Sequence, residues 1–169
     1  MKKLIEVIDG QQQIVRVTTL GERWYAKAVP DPTTGLPSYQ FAGSVTWISS
    51  VGYPKGIGYY KWLANLGWDE AQAVKEAAGV RGSKVHTGIG HLLAGQTLSL
   101  DARLPHPETG LPDAITPEEY DALCGFANWY AHDHPVILGV EELVWSEDPL
   151  YAGMADLICQ VGDAVYVVD

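Results

Sequence analysis

Apolar and polar residues alternate with a period of two through the first part of the chain. The runs are Leu4–Ile8, then Ile14–Thr19 with Ile14, Arg16 and Thr18 on one face and Val15 and Val17 on the other, then Arg23–Val29. Successive side chains of a strand leave the backbone on opposite sides, so this period predicts three strands. Asp9-Gly10 supplies a turn between the first two, and Pro30–Pro37 is a loop. From Ser44 the spacing becomes helical, through Val45-Thr-Trp47-Ile and Gly58-Tyr-Tyr60-Lys-Trp62, whose aromatic rings at helical spacing are expected to pack a core. A long helix follows from about Asp69 to Leu93, with an apolar stripe of Ala71, Val74, Ala78, Val85, Ile89 and Leu92. Gly82 lies in a gap of that stripe. It lowers helix propensity, and close packing against a sheet would explain it.

The second long helix opens at Thr116-Pro-Glu-Glu119, a capping box with proline at the first helical position. Its expected buried face is Tyr120, Leu123, Cys124, Ala127, Tyr130 and Ala131, and His132-Asp-His134-Pro135 ends it. A strand over Val136–Trp145 carries Glu141 and Glu142, of which alternation turns only one toward any given face. Two last strands, Met154–Val161 and Ala164–Val168, flank Gly162-Asp163, a two-residue hairpin turn. Pro105–Pro112 nearly repeats Pro30–Pro37, but the flanks differ, so the octets are similar loops rather than a solenoid repeat. Strands, then helices, then strands predict an α+β fold: a central mixed sheet flanked by helices, with a β-rich N-terminal segment. Residues 1–43 form a strand extension and 44–169 the core, in one compact domain.

The terminal hairpin has a chemical consequence. A two-residue turn places Val161 opposite Ala164 and, counting outward, Asp156 opposite Asp169, with Cβ atoms roughly 4.5–5.5 Å apart. Met154, Ile158, Val165 and Val167 surround the two carboxylates on that face. Burying both unpaired is costly, and a proton, a basic side chain or a bridging divalent cation would relieve it. A longer turn would slip the register and send one aspartate to solvent.

Composition narrows the rest. The chain has 169 residues, 47% hydrophobic and 19% charged, ordinary values for one folded domain. A net charge of −10 argues against a surface that tracks phosphates everywhere, while leaving room for a local groove or a metal-mediated contact. Cys124 and Cys159 are too few for a disulfide framework or a metal cluster and read as core thiols. Met1-Lys-Lys-Leu-Ile-Glu6 is not a signal peptide and no run is long enough to span a bilayer, so the expected setting is cytoplasmic, without a membrane. His86 stands at the edge of the long helix's stripe, a ligand candidate only where other donors converge on it. His132 and His134, two apart, do not share a cation and read as a helix end.

Thr46, then Arg81-Gly82-Ser-Lys-Val-His86, then Glu141, then Tyr151-Ala-Gly153-Met-Ala-Asp156-Leu-Ile, then Val165-Tyr-Val-Val-Asp169 resemble the RecB-like branch of the PD-(D/E)XK nuclease superfamily, in particular its phage and prophage exonucleases. The resemblance spans residues 40–169. It implies a restriction-endonuclease-like α/β core and a Mg²⁺- or Mn²⁺-dependent deoxyribonuclease, an exonuclease of recombination or end processing, with DNA and a phage or host recombination protein as partners. By the same resemblance His86, Asp156 and Asp169 are metal ligands, and Asp156, Asp169 and Glu141 the catalytic acids. Glu141 is chosen over Glu142 because it stands three residues before Val144, in a pattern like Glu-x-x-Val. The chain departs from the family by stopping at Asp169, ahead of the motif lysine, and by carrying Gly90 where related chains often have glutamate. Loss of that lysine implies intact metal binding with turnover slowed by ~10²–10⁴-fold. No cysteine precedes His86, so the iron–sulfur version of the family does not apply. The alternative is a non-catalytic acidic protein on a nuclease-like fold, binding a protein partner or mimicking DNA.

Overall fold

A computed structural model describes residues 5–9, 14–19 and 22–168. The elements run β1 (Ile5–Asp9), β2 (Ile14–Thr18), β3 (Arg23–Pro30), β4 (Pro37–Ser44), α1 (Val45–Gly52), α2 (Ile57–Leu66), α3 (Trp68–Leu93), β5 (Arg103–Pro105), β6 (Pro112–Ala114), α4 (Pro117–Asp133), β7 (Val136–Glu147), β8 (Leu150–Val161) and β9 (Ala164–Val168). Among the described residues a seven-stranded sheet has the order β1-β2-β3-β4-β8-β7, with β9 also paired to β8, and β5 and β6 form a two-stranded ribbon. The fold is mixed α+β with a mixed central sheet, as the pattern of periods predicts. Gly10 of the expected first turn lies outside the described residues. No helix among the described residues is long and apolar enough to cross a membrane. The chain divides into two compact units, residues 1–54 with 141–158 and 167–169, and residues 55–140 with 159–166.

In the first unit β1 to β4 form an antiparallel meander, from Ile5↔Val17 to Pro30↔Pro37. β4 then meets β8 in parallel at Gly43↔Tyr151 and Ser44↔Ala152, the step that makes the sheet mixed. β4 fills the stretch between the expected Pro30–Pro37 loop and the helical spacing from Ser44, inside the expected β-rich segment, as a strand that the sequence pattern did not single out. Pro37 stands at its first position, opposite Pro30, where a missing N–H costs no interior ladder bond. Ile14, Tyr25, Ala42 and Ala152 are buried on one face, with Leu143, Trp145 and Met154 packed on them. The next residue of each strand turns to the other face, where α1 lies. A Cβ on Gly43 would stand 3.3 Å from Ile48 Cδ1 and one on Gly153 3.3 Å from Val45 Cγ2, so both glycines admit the helix. Ser44 ends β4 and caps α1, its Oγ accepting from the Trp47 N–H at 3.0 Å.

In the second unit Leu104, Ile115 and Leu123 form the core, joined by Val85, Ile89, Leu92 and Tyr120. The expected stripe of α3 therefore holds at Ala71 and from Val85 onward, but Val74 is 47% exposed and Ala78 is also exposed. The aromatic expectation fails for α2, which buries no residue; Tyr60 is exposed, and Tyr59 instead accepts from Lys75 Nζ at 2.8 Å. On α4 burial is confined to Glu119 and Leu123, while Ala127, Tyr130 and Ala131 are exposed. The close-packing glycine of α3 is Gly88 rather than Gly82. A Cβ on Gly88 would come within 2.7 Å of Leu123 Cδ2 and 3.3 Å of Leu104 Cδ1, whereas one on Gly82 meets nothing within 4 Å.

The expected capping box is present: Thr116 N–H donates to Glu119 Oε2 at 2.8 Å and Glu119 N–H to Thr116 Oγ1 at 3.2 Å. The same Oε2 lies 2.9 Å from Lys84 Nζ. Lys84 is only 2% exposed, and its ammonium also donates to Asp113 Oδ2 at 2.9 Å and to the Ala114 carbonyl at 2.6 Å. α3, α4 and the β5–β6 ribbon thus meet at one buried cation. Burial works against its charge, but hydrogen bonds to Glu119 and Asp113 outweigh that and hold its pKa above the ordinary 10.5. The hydrogen bond from Lys84 holds Asp113 below the ordinary 3.8.

The two proline-flanked octets fold alike. Asp31 N–H donates to the Leu36 carbonyl and Gly35 N–H to the Asp31 carbonyl, both at 2.8 Å; the equivalents, His106 to Leu111 and Gly110 to His106, are 2.9 and 2.8 Å. Gly35 and Gly110 take φ of +66° and +70°, the left-handed region open to glycine. Each loop closes an antiparallel pair, at Pro30↔Pro37 and Pro105↔Pro112.

Two measurements check this packing. Gly82→Ala raises stability by about 0.5–1 kcal/mol in denaturant unfolding, through helix propensity alone, whereas Gly88→Val lowers it by about 1–3 kcal/mol through overpacking. Lys84→Met costs about 3–5 kcal/mol near neutrality, because Glu119 is left buried without its cation. The wild-type advantage shrinks as pH rises through the raised Lys84 pKa, and its Asp113 share is lost as pH falls through the lowered carboxylate pKa. A pH-independent difference between the two proteins would contradict the assignment.

Candidate functional site

Asp156 sits at the middle of β8. No residue from Tyr151 to Val161 is exposed, Ala155, Leu157 and Cys159 are buried on one face, and Asp156 is half-buried on the other. It is the one charged residue in that run. Met154, its neighbour on the same face, packs against the first unit's core. The Gly162-Asp163 turn forms as expected, with Gly162 at φ +59°. Asp169 lies outside the described residues, so the facing pair rests on the sequence register alone. The expected apolar surround is half present: Val165 and Val167 on β9 are 61% and 66% exposed, and the apolar neighbours of Asp156 come from its own strand.

Glu141 belongs to the same unit as Asp156, at the point where β7 departs from regular geometry. Its φ is +51°, a left-handed conformation that a β-carbon disfavours, and it is the one such non-glycine inside a described strand. Alternation fails there as a result. Val140, Glu141 and Glu142 are exposed in succession, so the expectation that only one glutamate faces outward is corrected by a backbone rotation no side-chain pattern announces.

His86 falls on α3 in the second unit. The sequence put it at the boundary of core and solvent, and it is exposed. Among the described residues no group of three or more His, Cys, Asp or Glu side chains is gathered so as to hold a metal ion. The cysteines are free, Cys159 buried and Cys124 only half-buried, so the expected core role holds fully for Cys159 alone. Both lysines of the His86 helix are engaged within the second unit, Lys84 by Glu119 and Asp113 and Lys75 by the Tyr59 hydroxyl.

The first unit also has an open recess of about 270 Å³ at the start of α1, lined by Thr18, Glu22, Arg23, Ser44, Thr46 and Trp47 among others. Trp47 packs on Trp24 with ring centroids 4.9 Å apart, and Trp24 Nε1 donates to Glu22 Oε2 at 2.9 Å. Thr46 was marked by the resemblance. Arg23 and Glu22 were not, because only the pairing of β3 with β4, at Trp24↔Gly43, brings them beside the start of α1.

Comparison with family models, curated proteins and solved structures returns no match.

The strain at Glu141 is measurable. Glu141→Gly raises unfolding free energy by about 1 kcal/mol, since glycine accepts positive φ, whereas Glu142→Gly lowers it by about 0.5–1 kcal/mol. Equal effects at the two positions in denaturant titrations would contradict the strain at Glu141.

Proposed function

We propose that this chain is the core of a metal-dependent DNA nuclease, an exonuclease of recombination or end processing, with His86, Asp156 and Asp169 as ligands for Mg²⁺ or Mn²⁺ and Glu141 as an accompanying carboxylate. The observation that supports the proposal is the place of Asp156, the one charge in the run Tyr151–Val161 of β8, no residue of which is exposed. An apolar residue would serve the fold there at least as well, so the carboxylate is a candidate for chemistry rather than packing.

The donor set suits the ion. Two carboxylates supply hard oxygens, and an imidazole nitrogen completes a set that Mg²⁺ or Mn²⁺ accepts. Such an ion lowers the pKa of bound water and neutralises charge on a phosphate. Asp156 supplies its oxygen from a rigid central strand, which fixes position better than a loop would. In the two-residue-turn register read from the sequence Asp169 is the residue opposite Asp156, and His86 supplies the imidazole from α3. Glu141 presents a further carboxylate from a backbone position of positive φ. Net charge of −10 makes the ion the means by which an acidic protein approaches a phosphodiester.

Titration calorimetry with Mn²⁺ tests this directly. Wild type binds Mn²⁺, and Asp156→Ala and His86→Ala each weaken binding by more than ~10-fold, with loss of Mn²⁺-dependent cleavage of linear DNA. A wild-type chain that takes up no Mn²⁺, or an Asp156→Ala variant that binds as well as wild type, would overturn the proposal in favour of a metal-free acidic binding protein.

A further inference from the structure

The β5–β6 loop, residues 106–111, shares its two backbone bonds and two side-chain bonds with the β3–β4 loop, where Asp31 Oδ1 additionally accepts from the Thr34 N–H at 2.7 Å and the Thr34 hydroxyl at 3.0 Å. In the β3–β4 loop the Thr33 N–H donates to the Asp31 carboxylate, Oδ1, at 2.9 Å; in the β5–β6 loop the Glu108 N–H donates to His106 Nδ1 at 3.2 Å. A third contact is common to both, Leu36 N–H to Thr34 Oγ1 and Leu111 N–H to Thr109 Oγ1, each 3.3 Å. A backbone amide can only donate. Nδ1 of His106 must therefore carry a lone pair, which fixes the neutral Nε2–H tautomer. Asp31 meets the same demand with a carboxylate whose proton affinity the Thr34 and Thr33 amides lower.

We infer that the β5–β6 loop is a pH-sensitive counterpart of the β3–β4 loop, its tip fastened by neutral His106 and loosened when the imidazole takes up a proton, while the backbone bonds between His106, Gly110 and Leu111 remain. Protonation puts an N–H where the Glu108 amide needs an acceptor, so both donors point at one another and the loop loses the bond that shapes its tip. Asp113 on β6 lies within electrostatic reach of the ring, Lys84 on α3 and Glu119 on α4 stand behind Asp113, and Glu108 is on the loop itself. An imidazolium draws on the Asp113 carboxylate that Lys84 otherwise holds, which ties the loop tip to the ion pair under the ribbon. The β3–β4 loop has no such response, because an ionised carboxylate persists through the range in which histidines titrate.

Hydrogen exchange on the intact chain, corrected for intrinsic rates, tests the inference. Between about pH 7.5 and about pH 5.5 the Glu108 amide loses about tenfold protection while the Thr33 amide changes little. His106→Asn keeps an acceptor that does not titrate, so it keeps the tip fastened at both pH values, and Asp31→His transfers the pH response to Thr33. Imidazole nitrogen NMR at the higher pH reads Nδ1 of His106 as the unprotonated atom. A Glu108 amide indifferent to pH, a response unchanged in His106→Asn, or Nδ1 found protonated at the higher pH would each overturn the inference.

Discussion

The second unit is arranged around one buried ammonium. Lys84 reaches Glu119 on α4 and Asp113 and the Ala114 carbonyl on β6. Glu119 is constrained twice, since the oxygen that accepts from Thr116 to start α4 also receives Lys84. The helix start, the ribbon edge and the long helix are thereby set by shared atoms rather than by the fit of apolar surfaces alone. An ion pair of this kind adds little net stability over a packed apolar substitute, but it tolerates few alternative arrangements. The apolar core of this unit is small, with Leu104, Ile115 and Leu123 at its centre, which makes such a directional constraint useful.

Much of the fold was legible in the sequence because its signals are local. The Thr116 box, the proline after it and His134 in the left-handed cap mark both ends of α4 to within a residue, and the Gly162-Asp163 turn marks the last hairpin. The long helix was readable from its period alone. What was not legible depended on partners distant in sequence. β4 was hidden by its prolines, which are harmless only because Pro30 and Pro37 face each other at the strand end. Gly88 and Gly82 look alike in sequence, and only Leu123 and Leu104 tell them apart. Glu119 read as a cap, and its second role appears only when Lys84 arrives from another helix.

The candidate site divides along the same line. Asp156 was singled out from strand pattern and resemblance, and it lies half-buried in β8, within the run Tyr151–Val161 that has no exposed residue. Glu141 was chosen for its spacing to Val144, a modest reason, yet its left-handed backbone independently marks it among the acidic residues of β7. His86 was expected at a boundary and is exposed, a difference that helical period alone does not resolve.

The parallel step between β4 and β8 has a consequence for how the chain reaches its shape. The meander of β1 to β4 closes through neighbours in sequence, while Gly43 and Ser44 must wait for Tyr151 and Ala152, more than a hundred positions later. During synthesis from the N-terminus, the outer backbone of β4 therefore stands without its partner strand until the end of the chain emerges. That edge is a template for any extended segment nearby, so the interval before β8 docks is when this protein is most open to mispairing with another nascent copy.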